Sequence, residues 1–281
     1  MLKQRVITAI VLLLILLPAL FYPSANPFFA VVLVLAAAGA WEWARLNGYG
    51  QAASVLWSIL CVLACIASWY AGLLRQPVQL VWVLAGAFWV LAGAWLLHHG
   101  VAAWATIPAP IRLAGGLLAL WCAWLALGQA RVIGINFLLS SLALVWAADI
   151  FAYFAGKAWG GRFSRGRLAP SISPGKSWEG VWGGMVGVLA LAFAWRWIDQ
   201  AWQPQVSSLY SHLWARGWWF MVMAVLFMTG MSVVGDLVES LIKRSAGVKD
   251  SSHLLPGHGG VLDRADAVLP TLPLAMMLYS F

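Results

Sequence analysis

The chain has 281 residues, of which 63% are hydrophobic and only 9% are charged, and its formal net charge is +8. A soluble domain is about half apolar and about a quarter charged, so this composition excludes an ordinary soluble protein. It is typical of a protein that crosses a membrane several times. The net charge is modest, and we expect no nucleic-acid partner. Three cysteines lie inside apolar runs without a zinc-site spacing, which predicts packing roles.

The apolar runs predict an all-α, polytopic membrane protein with about nine transmembrane helices. A span needs about 20 largely apolar residues. The first run follows Lys3 and Arg5 and is similar to a signal peptide, but no small-x-small cleavage site follows it. It is therefore interpreted as an uncleaved span, and the last run is short for one. The predicted spans are 5–22, 28–46, 53–74, 78–97, 112–130, 133–156, 179–198, 217–242 and 265–281.

The distribution of Lys and Arg predicts a cytoplasmic N-terminus. Cytoplasmic loops carry an excess of basic residues. With the N-terminus inside and nine spans, all of the 17 basic residues except Arg75, Arg131, Arg196 and Arg216 fall on the cytoplasmic side. Two long polar loops then face the cytoplasm, at 157–178, which includes Arg165, and at 243–264.

Five of the nine acidic residues fall at the cytoplasmic ends of predicted spans. Carboxylates at membrane depth are costly and commonly mark functional sites. Salt bridges at helix ends are the simpler interpretation, but an exposed pair contributes only about 0–1 kcal/mol. Asp236, Glu239, Ser240 and Lys243 follow the spacing of one helix face. The five acids are Asp149, Asp236, Glu239, Asp263 and Asp266.

Carboxylates beside many basic residues indicate a metal–polyphosphate site that faces the cytoplasm. Mg²⁺ binds through carboxylates, waters and substrate phosphates, while Lys and Arg hold the remaining phosphate oxygens. The glycine-containing segments GHGG at 257–260 and SPGKS at 173–177 are candidate anion nests. SPGKS does not match a P-loop, because Pro170 replaces the required Gly and no β-strand is expected before it. His258 is expected either to donate to a phosphate or to cap the turn.

The segment SLIKRSAGVKDSSHLLPGHGGVLDRADA, residues 240–267, resembles the signature of the phosphatidate cytidylyltransferase (CDP-diacylglycerol synthase) family. The family pattern is S-x-apolar-K-R, then K-D, then P-x-H-G-G-apolar-x-D-R-x-D. Ala265 stands where the family usually has a bulkier apolar residue. The matching residues are Ser240, Lys243, Arg244, Lys249, Asp250, Pro256, His258, Gly259, Gly260, Asp263, Arg264 and Asp266.

A second segment, GRLAPSISPGKSWEG at 166–180, is similar to the family's L-A-P-x-I-S-P-x-K-[ST]-x-E-G pattern. Gly175 occupies a position where a second Lys is common. Both motifs lie in the C-terminal half. We therefore expect residues 1–130 to form transmembrane helices without a recognised motif. Residues 131–281 are expected to form the catalytic transmembrane region with its two cytoplasmic loops.

The resemblance implies a helical membrane enzyme, expected to be a homodimer, that joins CTP and phosphatidic acid. The products would be CDP-diacylglycerol and pyrophosphate, and Mg²⁺ would be required, with a second cation as an option. A bacterial protein of this kind would lie in the inner membrane. No general base is expected, because the lipid phosphate is already an anion.

Residue roles follow from the motifs and the spacing together. The expected catalytic residues are Asp236, Asp263, Asp266 and Lys243. The three aspartates are also the expected metal ligands, with Asp149 and Glu239 as further candidates. The expected substrate-binding residues are Ser173, Lys176, Ser177, Ser240, Arg244, Lys249, His258, Gly259, Gly260 and Arg264. Glu179 is expected to cap the seventh span.

Two alternatives remain open at this point. A CTP-dependent lipid kinase of the dolichol kinase type shares membrane helices, CTP and acidic residues, but it would release CDP. A transporter with a cytoplasm-facing anion site is the other alternative. Transporters place their sites near the bilayer midplane between repeated halves, whereas these acids cluster at one side and the chain shows no repeat.

Overall fold

The computed structural model describes residues 2–164 and 166–281. Arg165, which the predicted topology assigned to a cytoplasmic loop, lies outside the described residues. The described chain is predominantly helical. The helices are α1 (Leu2–Phe21), α2 (Asn26–Leu46), α3 (Gln51–Tyr70), α4 (Gln79–His99), α5 (Val101–Thr106), α6 (Ala109–Ile133), α7 (Ile135–Trp159), α8 (Trp178–Trp202), α9 (Leu209–Trp214), α10 (Trp218–Ser245), α11 (Leu262–Ala265) and α12 (Val268–Ser280).

Eight of these helices are long and apolar enough to cross a membrane, namely α1, α2, α3, α4, α6, α7, α8 and α10. Each corresponds to one of the first eight predicted spans, so the prediction of a helical, polytopic membrane protein is confirmed. The short helices α5 and α9 were not predicted, because six residues carry too little periodic pattern to identify a helix.

The ninth predicted span, 265–281, is divided in the structure. A turn at Asp266 and Ala267 separates α11 from α12, and α12 has only 13 residues. Its residues from Leu269 to Met276 are all buried, as expected for a helix that is apolar on every side. Near its end, the Tyr279 ring packs against Phe137 in the first turn of α7, with ring centroids 4.9 Å apart. The segment therefore runs through the core of the bundle, and a ninth membrane crossing stays a prediction.

The predicted loop 157–178 contains a small antiparallel sheet. Strand β1 (Arg167–Ala169) pairs with β2 (Ser173–Ser177), with Arg167 opposite Ser177. The expectation that no strand precedes SPGKS is therefore wrong. Pro170 permits a tight reversal between two very short strands, which have no apolar alternation to reveal them. The P-loop remains excluded, because SPGKS itself is a strand.

Helices α7 and α8 pack antiparallel and very closely. A Cβ added to Gly183 would lie 2.1 Å from the Cβ of Ala155, and one added to Gly187 would overlap the Phe151 ring. Small residues allow helix backbones to approach in membrane proteins. This packing brings the C-terminal end of α7 next to the N-terminal end of α8, where the candidate site lies.

Candidate active site

The ends of three long helices meet at one end of the bundle. Asp149 of α7, Lys176 and Ser177 before α8, and Asp236 of α10 line one small cavity of about 60 Å³. Thr229 of α10, two helical turns before Asp236, also lines this cavity. The convergence of separate helices that the sequence predicted is therefore present for these residues.

Lys176 forms an ion pair with Asp236. The two side chains are 26% and 30% exposed, so the pair is reachable from solvent. The Ser240 hydroxyl lies 3.4 Å from the same carboxylate, one turn further along α10. Ser177 caps α8, since its hydroxyl accepts a hydrogen bond from the Gly180 N–H at 3.2 Å. Lys176 is thus held at the cavity by its ion pair with Asp236 and by its position next to the capped N-terminus of α8.

Asp266 adds a third carboxyl group to this region. It lies in the turn between α11 and α12, and its Oδ1 accepts a 2.7 Å hydrogen bond from the Ala267 N–H. Burial, followed by the negative charge of Asp236, raises the pKa of Asp266 to about 7, and Asp149 acts in the same direction. Neighbouring carboxylates destabilise one another's charged form, and a bound cation relieves this repulsion. We call Asp149, Asp236 and Asp266 the acidic triad.

A second cluster lies beside the triad, around Lys243. The Lys243 ammonium contacts Glu239 Oε2 at 2.5 Å and Asp263 Oδ1 at 2.6 Å. All three side chains are at most 13% exposed. We call these three residues the Lys243 cluster.

Both carboxylate oxygens of Asp263 already have protein partners. Oδ1 accepts from Lys243, while Oδ2 accepts from the Gly260 N–H at 2.7 Å and from the N–H and hydroxyl of Ser251 at 2.9 Å. Burial alone would raise the pKa of Asp263, but the hydrogen bonds from Lys243, Gly260 and Ser251 outweigh it and hold the pKa below its usual value. Asp263 thus fixes the loop before it to the end of α10.

The predicted metal ligands are consequently divided between two clusters. Asp236, Asp266 and Asp149 belong to the triad, whereas Asp263 and Glu239 belong to the Lys243 cluster. Across residues 2–164 and 166–281, no group of three Asp, Glu, His or Cys side chains is close enough to hold a metal ion by itself. Mg²⁺ keeps several waters and needs only one or two carboxylates beside substrate phosphates. The oxygen donors of the triad therefore fit Mg²⁺.

The GHGG turn is closed by its own backbone. Gly257 and Gly259 have φ angles of +77° and +84°, which favour glycine, and the Leu255 N–H donates to the Gly259 carbonyl at 2.8 Å. The Gly260 N–H points at Asp263 rather than outward. The His258 carbonyl accepts two hydrogen bonds from the Arg264 guanidinium, at 3.0 and 2.7 Å. Anion binding by this turn stays a prediction.

The remaining predicted substrate-binding residues lie outside the lining of the cavity. Arg244 Nε donates to the Ile172 carbonyl at 3.3 Å, which joins the end of α10 to the sheet. Lys249 is exposed and Ser173 is half-buried. The Glu179 carboxylate accepts hydrogen bonds from Phe163 and Ser164, so it holds the preceding loop, and the side-chain cap of α8 is Ser177.

Sequence reasoning missed Glu42. This residue lies near the end of α2 and is fully buried, and its carboxyl group contacts the loop before α11. The signal that identified Asp149 also applied here, because Glu42 is an acidic residue at the predicted cytoplasmic end of an apolar span. It was overlooked because neither motif includes that helix.

Comparisons with known proteins identify the family of the chain. Residues 3–281 match the model of the cytidylyltransferase family. The chain is 40% identical to a phosphatidate cytidylyltransferase of Pseudomonas aeruginosa, over 97% of this chain and 95% of the relative. It is 35% identical to the Haemophilus influenzae protein of the same name, over 100% and 99%. The match includes the N-terminal half, in which no motif was recognised. The family expected from the motifs is confirmed, and the chain belongs to the cytidylyltransferase family.

Proposed function

We propose that this protein transfers the cytidylyl group of CTP to phosphatidic acid and releases pyrophosphate. The observation that carries the proposal is the acidic triad beside Lys176, at the membrane-helix ends where two basic loops emerge. Family membership and the names of the two full-length relatives support it. Both substrates are anions, so a site for them needs cationic groups near carboxylates that bind a cation.

In the reaction, an oxygen of the lipid phosphate forms a bond to the α-phosphorus of CTP. The bond from that phosphorus to the bridging oxygen breaks, and pyrophosphate leaves with the electron pair. The nucleophile is already an anion, so no protein group has to remove a proton. Such a transfer depends on alignment and on neutralisation of charge. A bound Mg²⁺ would neutralise phosphate charge and orient the phosphates.

The residues of this chain divide that work. Asp236, together with Asp149 or Asp266, would hold Mg²⁺. Lys176 would move from Asp236 to a CTP phosphate, since it is the partly exposed ammonium at the cavity. Its neighbours Ser173 and Ser177, with the exposed cations Arg244, Lys249 and Arg264, would contact the remaining phosphate oxygens. Lys243 is largely buried between two carboxylates, which supports a role in holding the site together.

An apolar cavity of about 430 Å³ supports a lipid substrate. It adjoins the site, because Gly235 and Glu239 of α10 form part of its wall beside Trp89 and Trp104. We propose that it takes an acyl chain of phosphatidic acid whose headgroup lies at the triad.

The orientation of the protein is proposed from its charges. Arg5 Nε of α1 donates to the Gly257 carbonyl at 3.0 Å, so the N-terminus lies at the same end of the bundle as the site. The excess of basic residues at this end favours the cytoplasmic side of the cell membrane. This is the side from which CTP would arrive. We also propose that the protein forms a homodimer, on the basis of its resemblance to the family.

The position of the label in CTP tests the reaction. Purified protein in detergent is incubated with phosphatidic acid, Mg²⁺ and CTP labelled at either the α- or the γ-phosphorus. The proposal predicts that the α-label enters the lipid and the γ-label appears in pyrophosphate. Transfer of the γ-label to the lipid phase, with release of CDP, would instead identify a lipid kinase.

A further inference from the structure

Glu42 is a buried carboxyl group in a helix that neither motif includes. It lies near the end of α2, and its exposed fraction is 0%. An acidic side chain within a membrane helix is costly unless it is paired and commonly has a function. The contacts of Glu42 show which part of the chain depends on it.

Both oxygens of Glu42 accept hydrogen bonds from the loop 251–262. Oε1 accepts from the Ser252 hydroxyl at 2.6 Å and from the Val261 N–H at 2.8 Å. Oε2 accepts from the Leu262 N–H at 2.8 Å and lies 3.1 Å from the Ser251 hydroxyl. These partners lie more than 200 residues away along the sequence, so Glu42 is a tertiary anchor for the loop.

The loop passes Glu42 so closely that a side chain between them is excluded. A Cβ added to Gly260 would lie 2.4 Å from Glu42 Oε1 and 2.1 Å from the Ser251 hydroxyl. The requirement for glycine at this position thus arises from its close approach to Glu42 and Ser251. Helix α1 adds two contacts to the same loop, from Arg5 to the Gly257 carbonyl and from Thr8 to the Pro256 carbonyl.

The anchored loop leads directly into the site. Val261 and Leu262, whose N–H groups Glu42 binds, begin the short segment that carries Asp263 and ends at Asp266. The Ser251 hydroxyl lies within hydrogen-bond distance of both Glu42 and Asp263. Glu42 therefore fixes the segment from which one carboxylate of the triad and one of the Lys243 cluster project.

We propose that Glu42 is a positioning residue for the metal–phosphate site, and that α1 and α2 act as a clamp on the loop 251–262. This inference rests on the proposed function, since it assumes that the triad binds a divalent cation. Glu42 acts through Asp266 and does not touch the substrate. The N-terminal helices thereby contribute to the site although they carry none of its motifs.

The test variant is Glu42→Gln, which keeps the shape of the side chain and replaces one oxygen by an NH₂ group. An amide NH₂ cannot accept from a backbone N–H, so either Val261 or Leu262 loses its acceptor. The readout is the dissociation constant of Mn²⁺, measured by electron paramagnetic resonance on purified protein in detergent without substrate. Mn²⁺ prefers oxygen ligands as Mg²⁺ does. The thermal unfolding midpoint is measured on the same samples.

The matched control is Asp199→Asn. Asp199 is also a buried carboxylate with four hydrogen bonds, but it lies near the other end of α8, away from the site. Its partners are the Asn136 amide, the N–H and hydroxyl of Ser208 and the hydroxyl of Ser211. This control separates a general loss of stability from a specific effect on the metal.

We expect Glu42→Gln to weaken Mn²⁺ binding about 10- to 100-fold, as loss of a supporting partner of a metal ligand typically does. Asp199→Asn should lower the unfolding midpoint and change Mn²⁺ affinity less than about twofold, since it lies outside that support. Equal affinity of Glu42→Gln and the wild type, or equal weakening in both variants, would overturn the inference.

Two further outcomes are also decisive. If Glu42→Gln does not fold, Ser252→Ala replaces it, because this variant removes one donor to Glu42 and keeps the carboxylate. Loss of one hydrogen bond predicts about 2- to 10-fold weaker Mn²⁺ binding, and unchanged affinity would contradict the inference. A wild-type protein that binds no Mn²⁺ would refute the proposed metal site and, with it, the role of Glu42.

Discussion

Substitution of Lys243 by Met tests how the second cluster is held together. Lys243 contacts Glu239 at 2.5 Å and Asp263 at 2.6 Å, and these carboxylates are only 5% and 8% exposed. Methionine has nearly the same length and no charge. The variant therefore leaves two buried carboxylates close to each other without a cation.

The structure sets the size of the effect. Removal of one partner from a buried ion pair costs about 3–5 kcal/mol, because the other charge stays buried and uncompensated. In a chain of this size, 1 kcal/mol corresponds to about 2–4 °C in the unfolding midpoint. Lys243→Met should therefore lower the midpoint by roughly 6–20 °C. Turnover should also fall, since Asp263 loses the contact that fixes its loop to α10.

Thermal unfolding in detergent measures this effect, and two variants provide its controls. Lys243→Met with Glu239→Gln removes one of the two buried carboxyl groups left without a cation and should recover part of the lost stability. Lys249→Met changes an exposed lysine six residues further along and should shift the midpoint by less than about 2 °C, as surface substitutions do. An unchanged midpoint in Lys243→Met, or no recovery in the double variant, would contradict the reasoning.

Three other results are expected. Asp236→Asn should reduce turnover at least about 100-fold, because it removes both a proposed metal ligand and the partner of Lys176, and equal turnover at saturating Mg²⁺ would exclude that role. Gly115→Leu adds a side chain to the wall of the apolar cavity, where the nearest atom to an added Cβ is 3.9 Å away. Turnover of long-chain phosphatidic acid should fall more than turnover of a short-chain substrate. An equal fall for both substrates would exclude the cavity as the acyl site. Burial, followed by the Arg216 charge, lowers the pKa of His212, so the unfolded state takes up the proton first as the pH falls. The unfolding midpoint of the wild type should therefore decrease between pH 7 and 5 by more than that of His212→Phe. Identical decreases in the two proteins would contradict this.

Much of the fold was predictable from the sequence, because the thickness of the membrane sets the number of apolar residues in each span. Runs of about 20 apolar residues identified all eight long helices. The last predicted span was different, since a segment that is buried inside protein on every side can be shorter than the membrane is thick. Strands β1 and β2 were missed because three to five residues around a Pro turn carry no periodicity.

The site was predictable to the extent that its residues share a helix face or a motif. Spacing along α10 correctly grouped Glu239 with Lys243, and position near a span end selected Asp149. Spacing could not show that Asp263 uses both oxygens inside the protein, because its partners are backbone N–H groups of a folded loop. Glu42 was missed for a similar reason, since its contacts depend on how α2 packs against a loop at the far end of the chain.

The position of the bound metal is the decisive observation for the proposed site. Crystals of the protein grown with Mn²⁺ and a non-reactive CTP analogue would give an anomalous scattering peak at each bound ion. We predict a peak within coordination distance of Asp236 and of Asp149 or Asp266, with Lys176 turned toward a phosphate. A peak bound instead by Glu239 and Asp263, with Lys243 displaced, would contradict it.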